Sequence, residues 1–390
     1  MPRKVASRLA RVRESGTVRI TDAVARLRKE GRDVISLSVG EPDFATPAPI
    51  REAAKRALDA GHTKYVSAWG LPELREAIAR KSREENAIAP AQAANVLVTP
   101  AKQAVFYAIL GLVEEGDEVL LPDPGWVTYE PLVRLAGATP VPVPATLETD
   151  FRVTPEALAE RITPRTRMIV GNSPANPTGA VATREDVRGL VDLARDHDLW
   201  ILSDELYEKI LYEGRHRSPA AEPGGWERTL TVNGFSKAFA MTGWRLGWLL
   251  AEQPVLRELV KLQQHSITHP ATYSQHAAVE ALRMDPQPVR DMVAEFRARR
   301  DLVVKGLRAI PGWECNEPKG AFYVFARYRH PLPSLEMAER LLLDGGVAVT
   351  PGIEFGEAGE GHVRISYATS RQSLARALER IAEVSAKLGR

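Results

Sequence analysis

A single cysteine, Cys315, among 390 residues excludes an intrachain disulfide and gives no sign of an oxidising compartment. Long apolar runs are equally scarce: the strongest, Ala104 to Val113, is about half of the roughly 20 residues needed to cross a bilayer and reads as a buried helix. Charge of one sign is missing too. Fifty-two lysines and arginines stand against fifty aspartates and glutamates, a net +2, which is no electrostatic footprint for nucleic acid or an anionic membrane and points to a small ligand. No G-x-G-x-x-G follows an early strand, which counts against a nicotinamide site, and no basic helix-turn-helix segment precedes Val18, which counts against a DNA-binding regulator. The basic start, Met1 to Lys4, is not followed by the apolar core of a signal peptide, so a cytoplasmic setting is expected. Repeats and low-complexity tracts are absent.

What is present fits a folded chain larger than one core. With 44% hydrophobic and 26% charged residues over 390 positions, two lobes are expected. Ile20, Val24 and Leu27 fall at helical spacing between Val18 and Glu30, and Gly31 stops that helix. Short β-rich runs then alternate with helical stretches: Val34–Val39, Val96–Val98, Glu118–Leu121, Met168–Val170, Trp200–Leu202, Leu230–Val232 and Leu246–Leu250. That rhythm predicts an α/β fold, a mainly parallel sheet flanked by helices. After about Gln275 a long charged helix through Arg297 to Leu307 precedes strands at Ala321–Ala326, Gly346–Val349 and His362–Ser366. The expected division is a large lobe over 46–275 and a smaller α+β lobe made of 1–45 with 276–390. Several predicted strands run into turn-rich loops, and in open α/β sheets such loops at the carboxyl ends gather around the ligand.

Four strings in these loops carry the chemistry: Asn172 through Gly179, Ser203 through Tyr207, Ser236-Lys237 through Arg245, and Val363 through Ser366. In this order and spacing the chain resembles a class I aminotransferase of the fold-type-I pyridoxal-phosphate enzymes, and is especially similar to the bacterial aspartate aminotransferase branch, from about Ser15 to the C-terminal helix. The resemblance implies pyridoxal 5′-phosphate as cofactor, an L-amino acid and a 2-oxo acid as substrates, ping-pong transfer of the amino group, and a homodimer with shared active sites. It implies no membrane or nucleic-acid partner.

Residue by residue, the resemblance puts the cofactor aldehyde on Lys237 as a Schiff base, since a primary amine forms an imine that an incoming amino acid displaces. Asp204 then keeps the pyridine nitrogen protonated, although an aspartate after a strand also suits a helix N-cap. Tyr207 and Asn176 hydrogen-bond the phenolic oxygen, and Trp126 stacks on the ring. Arg245 offers a bidentate guanidinium to the phosphate. Thr99-Pro100-Ala101-Lys102 reads as an N-cap followed by proline at the first helical position, leaving the amides of Ala101 and Lys102 as further donors. Pro100 and Gly234 depart from the family pattern: the first lacks an N–H, the second stands where a serine often touches the phosphate, with Ser236 read as too distant to replace it.

Tyr65 resembles the tyrosine that crosses from the partner subunit, an interface aromatic being the plainer reading. Arg364, with the backbone of Gly40 and with Asn176, would hold the substrate's α-carboxylate; a structural salt bridge is its alternative. Lys102, Ser15 and Thr17 resemble the set around a distal carboxylate, which makes aspartate or glutamate the leading donor. His265 and His269 lie four apart, but Pro270 ends the helix and no third ligand is evident, so no metal site is expected. Because the same carbanion-stabilising residues serve β-lyases and cyclopropane-forming synthases, those remain the alternative.

Overall fold

A computed structural model describes residues 5–12, 14 and 16–388, with the side chains of residues 17–19 outside the description. The strands in chain order are β1 (Ile35–Ser36), β2 (Val96–Thr99), β3 (Glu118–Asp123), β4 (Thr139–Pro144), β5 (Thr166–Asn172), β6 (Trp200–Asp204), β7 (Thr229–Gly234), β8 (Gly247–Leu250), β9 (Trp313–Cys315), β10 (Tyr323–Tyr328), β11 (Val347–Ala348), β12 (Thr350–Pro351) and β13 (His362–Ser366). Seven form one sheet in the order β2-β8-β7-β6-β5-β3-β4. The β4–β3–β5–β6–β7 pairings are parallel, as the alternation predicts, while β8 runs antiparallel to both β7 and β2. The run Leu246–Leu250 therefore enters the sheet reversed. Its connection from β7 contains only the 3-10 turn Thr242–Trp244 and no α-helix, whereas a parallel return needs a crossover of about a dozen residues or more, usually helical.

β2, β7 and β8 are buried along their whole length: β2, at the sheet's edge, and β8 read as short apolar runs, while β7 alternates Thr229 and Thr231 with Leu230 and Val232. Helix Ala101–Leu112 covers one face, its Ala104, Val105 and Ala108 packing on Leu202, Leu230 and Leu249. Leu190, Val191 and Ala194 of helix Arg184–Asp196 cover part of the other, against Ile169 and Ile201. β4 escaped prediction because its sequence, Thr-Pro-Val-Pro-Val-Pro, reads as a breaker. Prolines are tolerated there because β4 is an edge strand that pairs with β3 alone.

A second, antiparallel sheet, β12-β13-β10-β9, packs with helices Gln287–Arg308 and Arg371–Leu388 through Phe296, Val303, Leu307, Leu374 and Ile381. The predicted strand Val34–Val39 shrinks to β1, which pairs in parallel with β11, and Leu37 joins this same core. The segment before the large sheet is thereby tied to the C-terminal part of the chain, and Ser38 to Gly40 are carried to the sheet's ligand-facing end. No helix of the described residues is long and apolar enough to cross a membrane.

Candidate active site

The loops after β2, β3, β5, β6 and β7 open at the carboxyl ends of the strands into a cleft of about 1870 Å³, closed from the other side by residues of β10, β13 and the segment after β1. Lys237, Asp204, Tyr207, Asn176, Trp126, Ala101, Lys102, Arg245, Gly40 and Arg364 all line it. The structure thus brings together the members of all four strings, drawn from distant parts of the chain.

Lys237 sits in the β7–β8 connection between Phe235 and Phe239, whose ring centroids are 5.8 Å apart, with Trp248 5.2 Å from Phe235. Phe235 is fully buried, and truncating such a phenylalanine costs roughly 3–5 kcal/mol, so the connection is anchored where the lysine needs to be fixed. The Lys237 ammonium donates to the carbonyl of Gly40 and lies 5.8 Å from the centre of the Tyr207 ring. Loss of water around the amine, followed by the positive charge of Arg364, pushes its pKa down to about 8. An appreciable neutral fraction near neutral pH makes it a competent nucleophile toward an aldehyde.

Asp204 ends β6 and is buried. Its Oδ2 accepts from the Tyr129 hydroxyl at 2.7 Å and its Oδ1 from the amide of Leu206 at 3.3 Å. The residues after it form a turn and no α-helix, so the capping alternative falls. Burial raises its pKa to about 6 despite those donors. Tyr207 is buried three residues on, its hydroxyl 2.7 Å from that of Tyr323.

Arg364 is only 3% exposed. It donates to Asn176 Oδ1 at 2.9 Å, to Thr350 Oγ1 at 3.4 Å and to the Ser38 carbonyl, and lies over the rings of Tyr323 and Phe355 at 4.6 and 4.9 Å. Its Nε has no partner, and no carboxylate of the described residues lies within ion-pair distance. The structural salt bridge is therefore not what holds it. A buried guanidinium facing a cleft without a counter-charge is a site for an anion.

At the opposite end, helix Ala101–Leu112 begins with Pro100 itself as the N-cap and no side-chain cap, a correction to the expected Thr99 cap with proline inside the helix. Thr99 instead closes β2, buried, with its hydroxyl unpartnered. The first bond of the helix runs from Ala104 to Pro100, so the amides of Ala101, Lys102 and Gln103 point out of its N-terminus without intrahelical acceptors. Arg245 is exposed at the rim in a left-handed conformation, φ 56°, its Nη1 on the Thr242 carbonyl at 2.8 Å. Lys102 is exposed beside it, 5.0 Å over the Trp126 ring, its pKa lowered by partial loss of water and then by Arg245. A side chain at position 234 would meet the Gly247 Cα at 2.9 Å, so the departure to glycine is imposed by close approach of β7 and β8. Ser236 lines the cleft on the same side.

Not every expected residue arrives here. Tyr65 is 88% exposed, outside the cleft, edge-on to His269 at 5.7 Å. Ser15 lies outside the described residues, and of Thr17 only the helical backbone in Gly16–Lys29 is described. His269 Nε2 accepts from the amide of Val66 at 3.2 Å and its Nδ1 sits 2.7 Å from the Pro270 carbonyl, so both ring nitrogens are spent on positioning chain. Sequence reasoning missed Tyr129 and Tyr323, for which no motif gives a signal. It also missed a buried network behind the Asp204–Tyr207 turn, where Glu205 takes Ser203, Ser218 and His216 while Glu208 takes Lys81 and Asn86. Of the three possible metal ligands there, Glu208 is paired with the Lys81 ammonium and Glu205 with His216.

The aminotransferase class I and II family pattern matches residues 32–381. The aspartate aminotransferase of Musicola paradisiaca is 43% identical, over 98% of this chain and 96% of its own. The aspartate/prephenate aminotransferase of Thermus thermophilus is 43% identical over 98% of this chain and 99% of its own. A solved structure of the Thermus thermophilus aspartate aminotransferase with maleate superposes with a TM-score of 0.93 at 44% identity, covering 98% of this chain and all of that one, 100%.

Proposed function

This chain belongs to the aminotransferase class I and II family and is a transaminase, and from that premise we propose that it binds pyridoxal 5′-phosphate through Lys237 and moves the amino group of aspartate or glutamate to a 2-oxo acid. The donor set of the cleft fits that cofactor: a depressed amine, a buried carboxylate, a phenol and an amide in the same lining, and a cationic helix N-terminus. When bound, the cofactor supplies an aldehyde that takes up the amino group and a ring that draws electrons from the substrate's Cα.

The residues have separate duties. Lys237 holds the cofactor and, once displaced by substrate, carries the proton removed from Cα. Asp204 keeps a proton on the ring nitrogen, and Tyr207 with Asn176 donates to the phenolic oxygen. Ala101, Lys102 and Arg245 take the phosphate, with Trp126 against the ring. Arg364 takes the α-carboxylate, with Gly40 and Asn176 beside it. The observation that carries this reading is the pairing, in one cleft, of the depressed Lys237 amine with a buried Arg364 that has no carboxylate of its own.

The division into a large lobe over 46–275 and a smaller one of 1–45 with 276–390 is supported by the strands' positions, the seven-stranded sheet being drawn from the first and the two- and four-stranded sheets from the second. The exposed Tyr65 is read as the residue a homodimeric partner receives, and Ser15 and Thr17 as part of the distal carboxylate pocket. The lone cysteine supports a cytoplasmic setting.

The test is the visible absorbance of the protein loaded with pyridoxal phosphate as single amino acids are added without oxo acid. Aspartate and glutamate should convert the bound cofactor to its amine form stoichiometrically, releasing the matching oxo acid. Catalytic release of pyruvate without an acceptor would favour a β-lyase instead. For the distal carboxylate, Lys102→Ala should raise KM for aspartate by about 10–100-fold, the worth of one charge-assisted hydrogen bond, and leave KM for alanine nearly unchanged. Equal effects on the two would remove Lys102 from the pocket.

A further inference from the structure

Tyr323 is the side chain that touches all three working parts of the cleft, and no sequence motif announces it. It is fully buried on β10, directly paired with Ser366 on the strand that carries Arg364. Its ring faces the Arg364 guanidinium at 4.6 Å. Its hydroxyl lies 2.7 Å from that of Tyr207, and close enough to Gly40 that a Cβ there would sit 2.4 Å from it. Gly40 in turn offers its carbonyl to Lys237.

By distance alone either phenol can donate to the other. Only one direction leaves the Tyr207 proton free for an acceptor in the cleft: Tyr323 donates to the Tyr207 oxygen, and Tyr207 donates onward. A donor that is itself hydrogen-bonded at oxygen is polarised and donates more strongly. We propose that Tyr323 is a positioning residue of this site, aiming and strengthening the Tyr207 phenol as a donor to the cofactor's phenolic oxygen while its ring fixes the plane of Arg364. The proposal rests on the assignment of Lys237 and Tyr207 to the cofactor. It adds a second phenol acting only through the first.

The charged and titratable groups that act on this pair are Asp204 from β6, Arg364 from β13, and the phenols of Tyr129 and Tyr367, with the Lys237 ammonium 5.8 Å from the Tyr207 ring and Glu41 and Arg245 facing that ammonium in turn. None of them is altered by exchanging the Tyr323 hydroxyl for hydrogen. Tyr323→Phe keeps the ring against Arg364 and leaves the Tyr207 oxygen near a cleft open to water, so the fold is retained.

The experiment follows the pH midpoint of the visible absorbance of the cofactor-loaded protein, which reports protonation of its linkage to Lys237. Donors to the phenolic oxygen stabilise its anion and lower that midpoint. Tyr323→Phe should raise it by about half a pH unit. In a Tyr207→Phe background the same change should move the midpoint by less than about 0.1 unit, since the path through Tyr207 is gone. A midpoint in Tyr323→Phe equal to that of the unaltered protein overturns the proposal. So does an equal shift in both backgrounds, which would mean that Tyr323 acts directly. If the unaltered protein shows no pH-dependent band, or Lys237→Ala keeps it, the Lys237 assignment fails and this proposal falls with it.

Discussion

Lys237→Ala is expected to give a folded protein whose amino-group transfer is nearly abolished. Proton transfer by a well-placed group is worth 10²–10⁴-fold, and on the role proposed for it the same amine also holds the cofactor, so a loss of about 10⁴-fold in kcat is expected. The loss should not come from unfolding. The side chain's pKa lies below its ordinary value of 10.5, at about 8, because burial disfavours the ammonium. A lysine depressed in this way makes folding less favourable at pH values below about 8, where the unfolded chain and the fold would both prefer the proton but the fold holds it at a cost. That cost fades as pH rises through 8 toward the ordinary value. Removing the amine should therefore raise the melting temperature of the cofactor-free protein near pH 7. The gain is up to about 3 kcal/mol, less what water in the cleft already returns to a partly exposed side chain. Differential scanning calorimetry of the two cofactor-free proteins, beside a single-turnover assay, separates the effects. Retained transamination, or a protein that melts early, would contradict the assignment.

How much of this could be read in advance depends on the kind of signal each residue leaves. Lys237, Asp204, Tyr207, Asn176 and Arg364 lie in short strings whose order is itself informative, and the fold places them together because each string follows a buried strand or lies on one. The parallel core was legible from the apolar runs Val119–Leu121, Met168–Val170 and Trp200–Leu202 of β3, β5 and β6. β4 was not, because proline at every second position looks like a break unless the strand is known to lie on an edge. The direction of β8 was not legible either: periodicity gives a strand but not its sense. Tyr129 and Tyr323 stayed hidden because nothing in sequence separates an aromatic that fills volume from one whose hydroxyl supports an acid or a phenol nearby. The helix cap at Pro100 shows the limit at finer scale, a one-residue shift that moves Thr99 from cap to strand end without changing which amides face the cleft.

Asp204 carries the other large effect, in two opposite directions. Buried and aimed into the cleft, its carboxyl titrates at about 6 instead of the ordinary 3.8. Folding thus favours the protonated form, so its contribution is most favourable below about 4, is lost as pH rises through 6, and leaves an ionised carboxylate buried at a cost of about 3 kcal/mol above that. Tyr129 and the Leu206 amide donate to it without cancelling that cost. Asp204→Asn keeps an oxygen for Tyr129 and removes the charge, so the cofactor-free variant should melt higher than the unaltered protein at pH 8 and equally at pH 4. With pyridoxal phosphate bound the balance should reverse, because the role proposed for Asp204 would set an ionised carboxylate against a protonated ring nitrogen. The variant should lose about 10²–10³-fold in kcat, the usual toll for removing one preorganised electrostatic group. Thermal melts at the two pH values with and without cofactor, beside kcat, test both halves. A variant that is less stable than the unaltered protein at pH 8 without cofactor would mean that Asp204 holds the fold rather than the ring nitrogen.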